Sequence, residues 1–283
     1  MNSEIAEYLK CSSCQGTNLH ISGNHAVCKG CSKKYPIEKG KVFFVDPPKV
    51  WPESSNPTPT LHSSWSRLRR SEFKFTSRIL NPLSADSVVY DLGAGESHFS
   101  ELFTRFKRVI PVDIFPYPKV IVVADFTKEV PLQDNSGDVL VLSNVLEHIA
   151  EPDLFLKEGN RVLKSGGTIV GTIPFMLGVH QAPYDYNRFT DYMLKHLLAK
   201  AGFIDVEIQT LSTPYNTYTS MTGNFFKVVG TYLAMEGTRF DRLKFRLVRK
   251  LHSVMMNRFR SLFASIPPAS EFALGYGFTA RKK

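Results

Sequence analysis

Four cysteines, all within the first 31 residues, stand as Cys11-x-x-Cys14 and Cys28-x-x-Cys31, with 13 residues between the pairs. Two such knuckles bring four thiolates to one point, the soft tetrahedral set that Zn²⁺ takes. Disulfides would need an oxidising compartment, and a redox pair has no use for a second matched pair. The spacing therefore predicts a closed Cys₄ zinc site, structural because no coordination position stays open. A second chemistry is written at Asp91-Leu92-Gly93-Ala94-Gly95. Glycines there let the backbone turn sharply and approach a ligand at a helix N-terminus. Asp113 follows 22 residues after Asp91, the distance at which an acid is placed to hydrogen-bond ribose hydroxyls. Two histidines could move a proton: His148, in Asn144-Val-Leu-Glu147-His148, and His180, in the segment from Val179 to Thr190.

These residues need elements to hold them. The apolar runs 88–92, 108–112, 120–124, 138–143, 168–173 and 206–211 read as strands, and 271–280 as an apolar last strand. Between them, Phe99, Leu102, Phe103 and Phe106 have helical spacing, and a helix from about Asp153 is expected to stop at Lys164-Ser165-Gly166-Gly167. Thr190 can cap a helix whose Met193, Leu194, Leu197, Leu198 and Ala201 form one apolar face. Residues 65–80 read as a further helix. Alternating strands and helices imply an α/β, mostly parallel sheet with its ligand at the carboxyl ends of the strands. The chain of 283 residues divides into a zinc ribbon over 1–50, a proline-rich linker over 51–64 and a nucleotide-binding domain over 65–283. Near-average composition excludes collagen, coiled coil and wholesale disorder, no run is long enough to span a membrane, and no signal pattern opens the chain. A cytoplasmic protein is the expectation.

Over about residues 5–47 the first module resembles the zinc-ribbon family of the activator subunit of eukaryotic tRNA methyltransferases. The ordered series of Asp91-x-Gly93-x-Gly95, Asp113, Asp125-Phe126 and Asn144 resembles the class I S-adenosylmethionine-dependent methyltransferases, particularly their ubiquinone/menaquinone-biosynthesis branch. That resemblance implies a Rossmann-like seven-stranded sheet with an antiparallel final strand. It implies S-adenosylmethionine as cofactor, with Asp91, Gly93 and Gly95 at its methionine part and Asp113 at its ribose. Asp125 and Phe126 would meet the adenine and Asn144 the methionine end, while Ala94 and Ile114 complete the set. Ser97 stands where the third glycine usually falls. A dehydrogenase would want Gly-x-Gly-x-x-Gly, and position 98 is His.

Methyl transfer from a sulfonium is an in-line displacement, needing a base only when the nucleophile carries a proton. His148 and His180 are the candidate bases, with Tyr184, Asp185, Tyr186 and Arg188 shaping the acceptor pocket. The plainer reading has Asp185 and Arg188 as a pair that orders the loop. The 180–190 segment resembles a motif of methyltransferases acting on sugars and surface glycans, which implies O-methylation of a small-molecule or glycan-type acceptor. A ribosomal-RNA or tRNA methyltransferase, with the ribbon gripping RNA, and a non-catalytic adaptor are the competing readings. Some small-RNA methyltransferases bind Mg²⁺ through Glu-x-x-Glu-His and a distant His; Asn144 replaces the first Glu here, so no catalytic metal is expected.

The net charge of +9 is unevenly spread. Within a long insertion at about 212–270, residues 237–260 hold eight Arg and Lys against one acid, Asp241. Phe240, Leu243, Leu247, Leu251, Met255 and Phe259 recur every three or four residues, so this is a basic amphipathic helix. It can dock on the domain as a lid, lie on an anionic membrane surface, or contact nucleic acid. Phe225, Phe226 and Tyr232 upstream can serve the same surface.

Overall fold

The computed structural model describes residues 3–17, 19–47, 65–96, 98–127, 129–258 and 260–283. The expected linker at 51–64, Ser97 and Phe259 lie outside the described residues. The cysteine module forms β1 (Leu19–Ser22), β2 (His25–Cys28), β3 (Lys34–Glu38) and β4 (Lys41–Phe43). Then come α1 (Arg67–Leu80), β5 (Val88–Leu92), β6 (Arg108–Asp113), β7 (Val122–Val123), β8 (Gly137–Ser143), α2 (Pro152–Val162), β9 (Leu163–Pro174), α3 (Asp191–Lys200) and β10 (Phe203–Thr210). The insertion supplies α4 (Pro214–Met235), α5 (Arg239–Arg258) and α6 (Arg260–Ala264), and β11 (Gly275–Lys282) ends the chain.

Among the described residues eleven strands join one sheet, in the order β1-β2-β3-β4-β7-β6-β5-β8-β9-β11-β10. From β7 to β10 this is the expected seven-stranded arrangement, with β11 antiparallel to both neighbours. The unexpected part is the join. β4 pairs in parallel with β7, Val42 opposite Val122 and Phe43 opposite Val123, so the cysteine module extends the Rossmann-like sheet across its edge. One apolar cluster runs through both parts, from Leu9, Cys11, Tyr35 and Val42 to Leu92, Leu140, Phe155 and Leu198. On the other face α1 seats Leu68, Phe75 and Leu80 on Val89, Val141 and Val170. A β-carbon at Gly277 would lie 2.6 Å from the Phe75 ring, so glycine is what admits that ring.

Two local expectations are corrected. The segment after the glycine turn makes only a short 3₁₀ turn, Ser100–Phe103. Its Phe99 still reaches an aromatic cluster with Trp65 and Phe73, so burial does not require a full helix. The helix expected to run to Lys164 ends at Val162. Gly166 and Gly167 instead form a bulge in β9, which pairs Leu163 with Gly137 but Thr168 with Val139.

The insertion is anchored at its root. Thr217 donates to the Phe272 carbonyl (2.9 Å) and Leu274 N–H to the Ser212 hydroxyl (2.8 Å). Pro174, at the carboxyl end of β9, pairs with Gly275, and Thr210 pairs with Tyr276, so the insertion leaves and returns at the carboxyl edge of the sheet. Helix α5 packs on α4 through Phe245 and His252, both against Phe226. That is not the face the sequence pattern marks. Phe240, Leu243, Leu247 and Leu251 stay 57–63% exposed. Gly230 of α4 passes close under Phe245, where an added β-carbon would sit 3.2 Å from the ring, so α4 receives this row of α5 and leaves the aliphatic stripe uncovered.

Lys41 fastens the inter-module edge. Its buried ammonium donates to the carbonyls of Tyr117 (2.7 Å), Pro118 (2.9 Å) and Val120 (2.6 Å). These carbonyls belong to the β6–β7 loop, and burial lowers the pKa of the ammonium. Lys41→Ala leaves them without that donor, at a cost of about 2 kcal/mol. Thermal unfolding should show a drop of several degrees, and an unchanged midpoint would remove this role.

Candidate functional site

The turn after β5 is built on left-handed backbone: Gly93 has φ +72° and Gly95 φ +52°. A β-carbon at Gly93 would come within 2.5 Å of the Val145 side chain, so this residue is required for packing as well as for conformation. Gly93 and Ala94 N–H both donate to the Val112 carbonyl (2.9 and 3.1 Å). Asp113, at the end of the adjacent β6, accepts from Gly95 N–H (2.8 Å) and Phe115 N–H (2.9 Å). Each carboxylate oxygen keeps a further lone pair for a hydroxyl. Burial raises the Asp113 pKa, against those two bonds, and burial with the Asp113 charge pushes buried Asp91 up to about 7.

Asp125 follows β7 and accepts from its neighbour Thr127, through the hydroxyl (2.5 Å) and N–H (3.3 Å). The Phe126 ring is buried against Phe155 (5.9 Å), which leaves its main chain as what it can offer a ligand. Ile114 and Phe115 expose apolar side chains beside Asp113. Asn144 follows β8 with φ +54°, its N–H donating to the Thr172 carbonyl (2.9 Å). The predicted cofactor residues thus lie at the carboxyl ends of four neighbouring strands, in the sheet order β7, β6, β5 and β8.

Past Asn144 a 3₁₀ turn, Leu146–His148, aims Glu147 inward. The loop after β9 folds back onto it: Tyr186 N–H (2.8 Å) and Asn187 N–H (3.1 Å) donate to the Glu147 carbonyl. His148 and His180, 32 residues apart in sequence, stand edge to face with ring centres 5.1 Å apart. The His148 Nδ1 lies 2.6 Å from the Tyr184 carbonyl, to which it donates. The Nε2 atoms of His148 and His180 lie 3.8 and 3.7 Å from Glu147 Oε1. The Glu147 carboxylate holds the His180 pKa above its ordinary value, although partial burial opposes it.

Asp185 and Arg188 do what the plainer reading expects. The guanidinium donates to both carboxylate oxygens (2.6 and 2.7 Å), Oδ2 also accepts from His180 N–H (2.8 Å) and so closes the loop, and Arg188 holds the Asp185 carboxyl far below its usual range. Tyr184 and Tyr186 are exposed at its rim.

One contributor escapes motif reasoning. Glu72 of α1 is buried, close to the Asn144 side chain, to Glu147 and to His180, and burial raises its pKa to about 7. The available signal was an acid in the helical row Leu68-Glu72-Thr76-Leu80, all four of them buried.

The four cysteine sulfurs converge at the other end of the sheet. All lie within 4.8 Å of one another, with Cys11–Cys31 and Cys14–Cys28 each at 3.6 Å. Disulfide sulfurs would be about 2.05 Å apart, whereas thiolates about 2.3 Å from one tetrahedral ion sit near this spacing. Gly16 and Gly30 line the sulfurs, where an added β-carbon would be 3.2 Å and 3.7 Å from Cys14 Sγ. Burial opposes a thiolate at Cys11, yet the Tyr35 hydroxyl (3.1 Å) and the N–H groups of Cys14 and Ser13 bring its pKa down to about 6.

Residues 90–171 match the family model described as a methyltransferase domain. A probable S-adenosylmethionine-dependent methyltransferase of Mycobacterium tuberculosis is 31% identical over 143 residues, covering 45% of this chain and 52% of that protein. A counterpart in Mycolicibacterium smegmatis is 29% identical over 131 residues, covering 41% and 51%. The chain spans about half the length of the curated relatives it matches. Among solved structures, a SAM-dependent methyltransferase of Archaeoglobus fulgidus aligns with a TM-score of 0.46 at 18% identity, covering 77% of this chain and 95% of that one. Phosphoethanolamine N-methyltransferase 2 of Haemonchus contortus gives 0.47 at 18%, covering 75% and 52%. The matched family model and the strand order identify a Rossmann-like methyltransferase domain in this chain.

The raised pKa of Asp91 has a stability consequence. An acid that binds its proton more tightly when folded gives stability present in full below the unfolded value near 3.8 and lost as pH rises through about 7. Asp91→Asn should therefore flatten the fall in unfolding temperature of the ligand-free protein between about pH 5 and pH 8. A parallel fall in both proteins would show that Asp91 is not responsible.

Proposed function

We propose that this chain transfers the methyl group of S-adenosylmethionine to a hydroxyl of a small-molecule or glycan-type acceptor. The observation that carries the reading is the meeting of Glu147, His148 and His180 beside Asn144, at the same sheet edge as the glycine turn. Gly93, Ala94, Gly95, Asp91 and Asn144 hold the methionine end, Asp113 and Ile114 the ribose side, and Asp125 with the Phe126 main chain the adenine. The bound cofactor supplies a methyl group already activated on a positively charged sulfur. His148 or His180 takes the proton of the acceptor hydroxyl as its oxygen attacks. Tyr184 and Tyr186 flank the acceptor, in a loop kept in shape by Asp185 and Arg188. Cys11, Cys14, Cys28 and Cys31 hold a structural Zn²⁺, and the chemistry and spacing of their sulfurs fit that ion.

The acceptor is met at an anionic membrane surface. Among the described residues no helix is long and apolar enough to cross a membrane. Instead α4 and α5 expose Phe225, Val228, Tyr232, Leu247 and Leu251 amid the arginines and lysines of α5. Apolar side chains flanked by basic ones suit an interfacial position, where burial and charge attraction add.

Incubation with labelled S-adenosylmethionine and fractionated lysate should place label in a polyol or glycan fraction, untouched by nuclease. Label confined to a nuclease-sensitive fraction would replace the acceptor by RNA. Asp113→Ala should weaken cofactor binding by about tenfold or more, measured by calorimetry; unchanged affinity would overturn the assignment of the ribose acid. Vesicles containing phosphatidylglycerol should sediment the protein where neutral phosphatidylcholine vesicles do not, and the pair Leu247→Glu and Leu251→Glu should abolish sedimentation. Equal recovery with both vesicle types would reject the membrane contact.

A further inference from the structure

Glu147 is the outstanding group of the molecule. Its side chain is wholly buried, yet neither carboxylate oxygen has a hydrogen-bond partner in the protein. The buried Nε2 of His148 has none either. A carboxylate removed from water without compensation costs several kcal/mol, so buried charges are found paired or on a metal.

The surroundings orient both rings with Nε2 toward Glu147. His148 gives its Nδ1 proton to the Tyr184 carbonyl, so Nε2 carries the lone pair. His180 Nδ1 lies 3.4 Å from both Asp185 Oδ2 and Arg188 Nη2, on the side of the ring away from Glu147, which its Nε2 faces. An imidazole braced through one nitrogen by a carbonyl or carboxylate is the usual support of a metal-ligating histidine. The Nε2 atoms stand 3.8 and 3.7 Å from Glu147 Oε1. That is too far for hydrogen bonds, and within the span of about 4.2 Å open to two atoms that each lie about 2.1 Å from one ion. A second carboxylate is close by. Glu72, also buried, lies near Glu147 and His180.

We propose that Glu147, His148 and His180 bind a divalent first-row cation, which receives the acceptor through its hydroxyls. Two imidazoles and one carboxylate favour such an ion over Mg²⁺, which prefers oxygen donors, and three protein ligands leave open positions. Those positions suit an acceptor with adjacent hydroxyls, as on a sugar. The proposal rests on the methyl-transfer reading for its chemistry, though not for its binding site. The metal-bound hydroxyl loses its proton to water more readily than a free one. Its oxygen then forms the C–O bond as the C–S bond breaks and the electron pair returns to sulfur, leaving a neutral thioether. With the ion bound, the two histidines are its ligands, and solvent replaces them as the base that takes the hydroxyl proton.

Mn²⁺ is the probe, its free-ion paramagnetic resonance signal being titrated with the full-length protein while elemental analysis follows zinc. One Mn²⁺ per chain should bind, and affinity should fall at least about tenfold in Glu147→Gln and in His180→Ala. Circular dichroism and melting temperature identify any variant that has not folded, and the wild-type titration stands without them. No Mn²⁺ bound by the wild type, or equal binding by folded variants, overturns the proposal. Hydroxyl methylation that persists with EDTA and no bound ion also overturns it, and leaves the histidine-base reading standing. Stoichiometric Mn²⁺ binding without methylation of any hydroxyl acceptor supports the ion site and rejects the O-methyl reading.

Discussion

The fold hangs on the pairing of β4 with β7. A two-residue strand at the edge of a parallel sheet is weak, and its open side would expose unpaired main-chain groups. Here the cysteine module supplies the missing neighbour: Val42 N–H donates to the Ile121 carbonyl (2.9 Å) and Phe44 N–H to Val123 (2.8 Å). Further along, Lys10 N–H reaches the Pro131 carbonyl (3.1 Å), and Gln133 N–H reaches that of Tyr8 (2.9 Å). Because Lys41 then gathers the carbonyls of residues 117–120, the module fixes the loop that leaves Asp113. A bound metal in the thiolate cluster would thus stiffen the ribose side of the cofactor site without touching a ligand.

Much of this was legible because it depends on local chemistry. Asp91-x-Gly93-x-Gly95 requires a left-handed turn, the strands are apolar runs bounded by turn residues, and Thr190 caps α3 through Met193 N–H as its type and position predict. What was hidden depends on distant partners. The β4–β7 pairing joins two three- or two-residue strands, too short to carry periodicity. Glu72 has no motif around it, and only tertiary packing brings it to Asn144. The apolar stripe of α5 was visible, but which face meets α4 depends on Gly230 giving room to Phe245 rather than on the stripe.

The site's charge runs against that of the chain. Asp91, Asp113, Glu72 and Glu147 are all buried at one edge of a protein whose net charge is +9. Three of them have raised pKa values, chiefly through burial, so the folded edge holds more negative potential than it can comfortably ionise. A cationic ligand relieves that condition. The sulfonium of the proposed cofactor is one, and methyl transfer removes its charge, so the same acids that favour substrate binding would favour product less.

The insertion gives this polarity a direction. Its basic, apolar helices leave the sheet after Thr210 and return at Gly275, beside the carboxyl end of β9, from which the acceptor loop with His180 also departs. A surface that attracts α5 therefore meets the molecule at the edge where cofactor and acceptor residues are gathered. On the proposed reading the arrangement separates two electrostatic tasks: arginines and lysines on the outside would meet an anionic surface, while buried carboxylates would favour cations within. A soluble acceptor would need only the second. The uncovered stripe of Phe240, Leu243, Leu247 and Leu251 would then be a standing cost in solubility, which favours an acceptor carried on that surface.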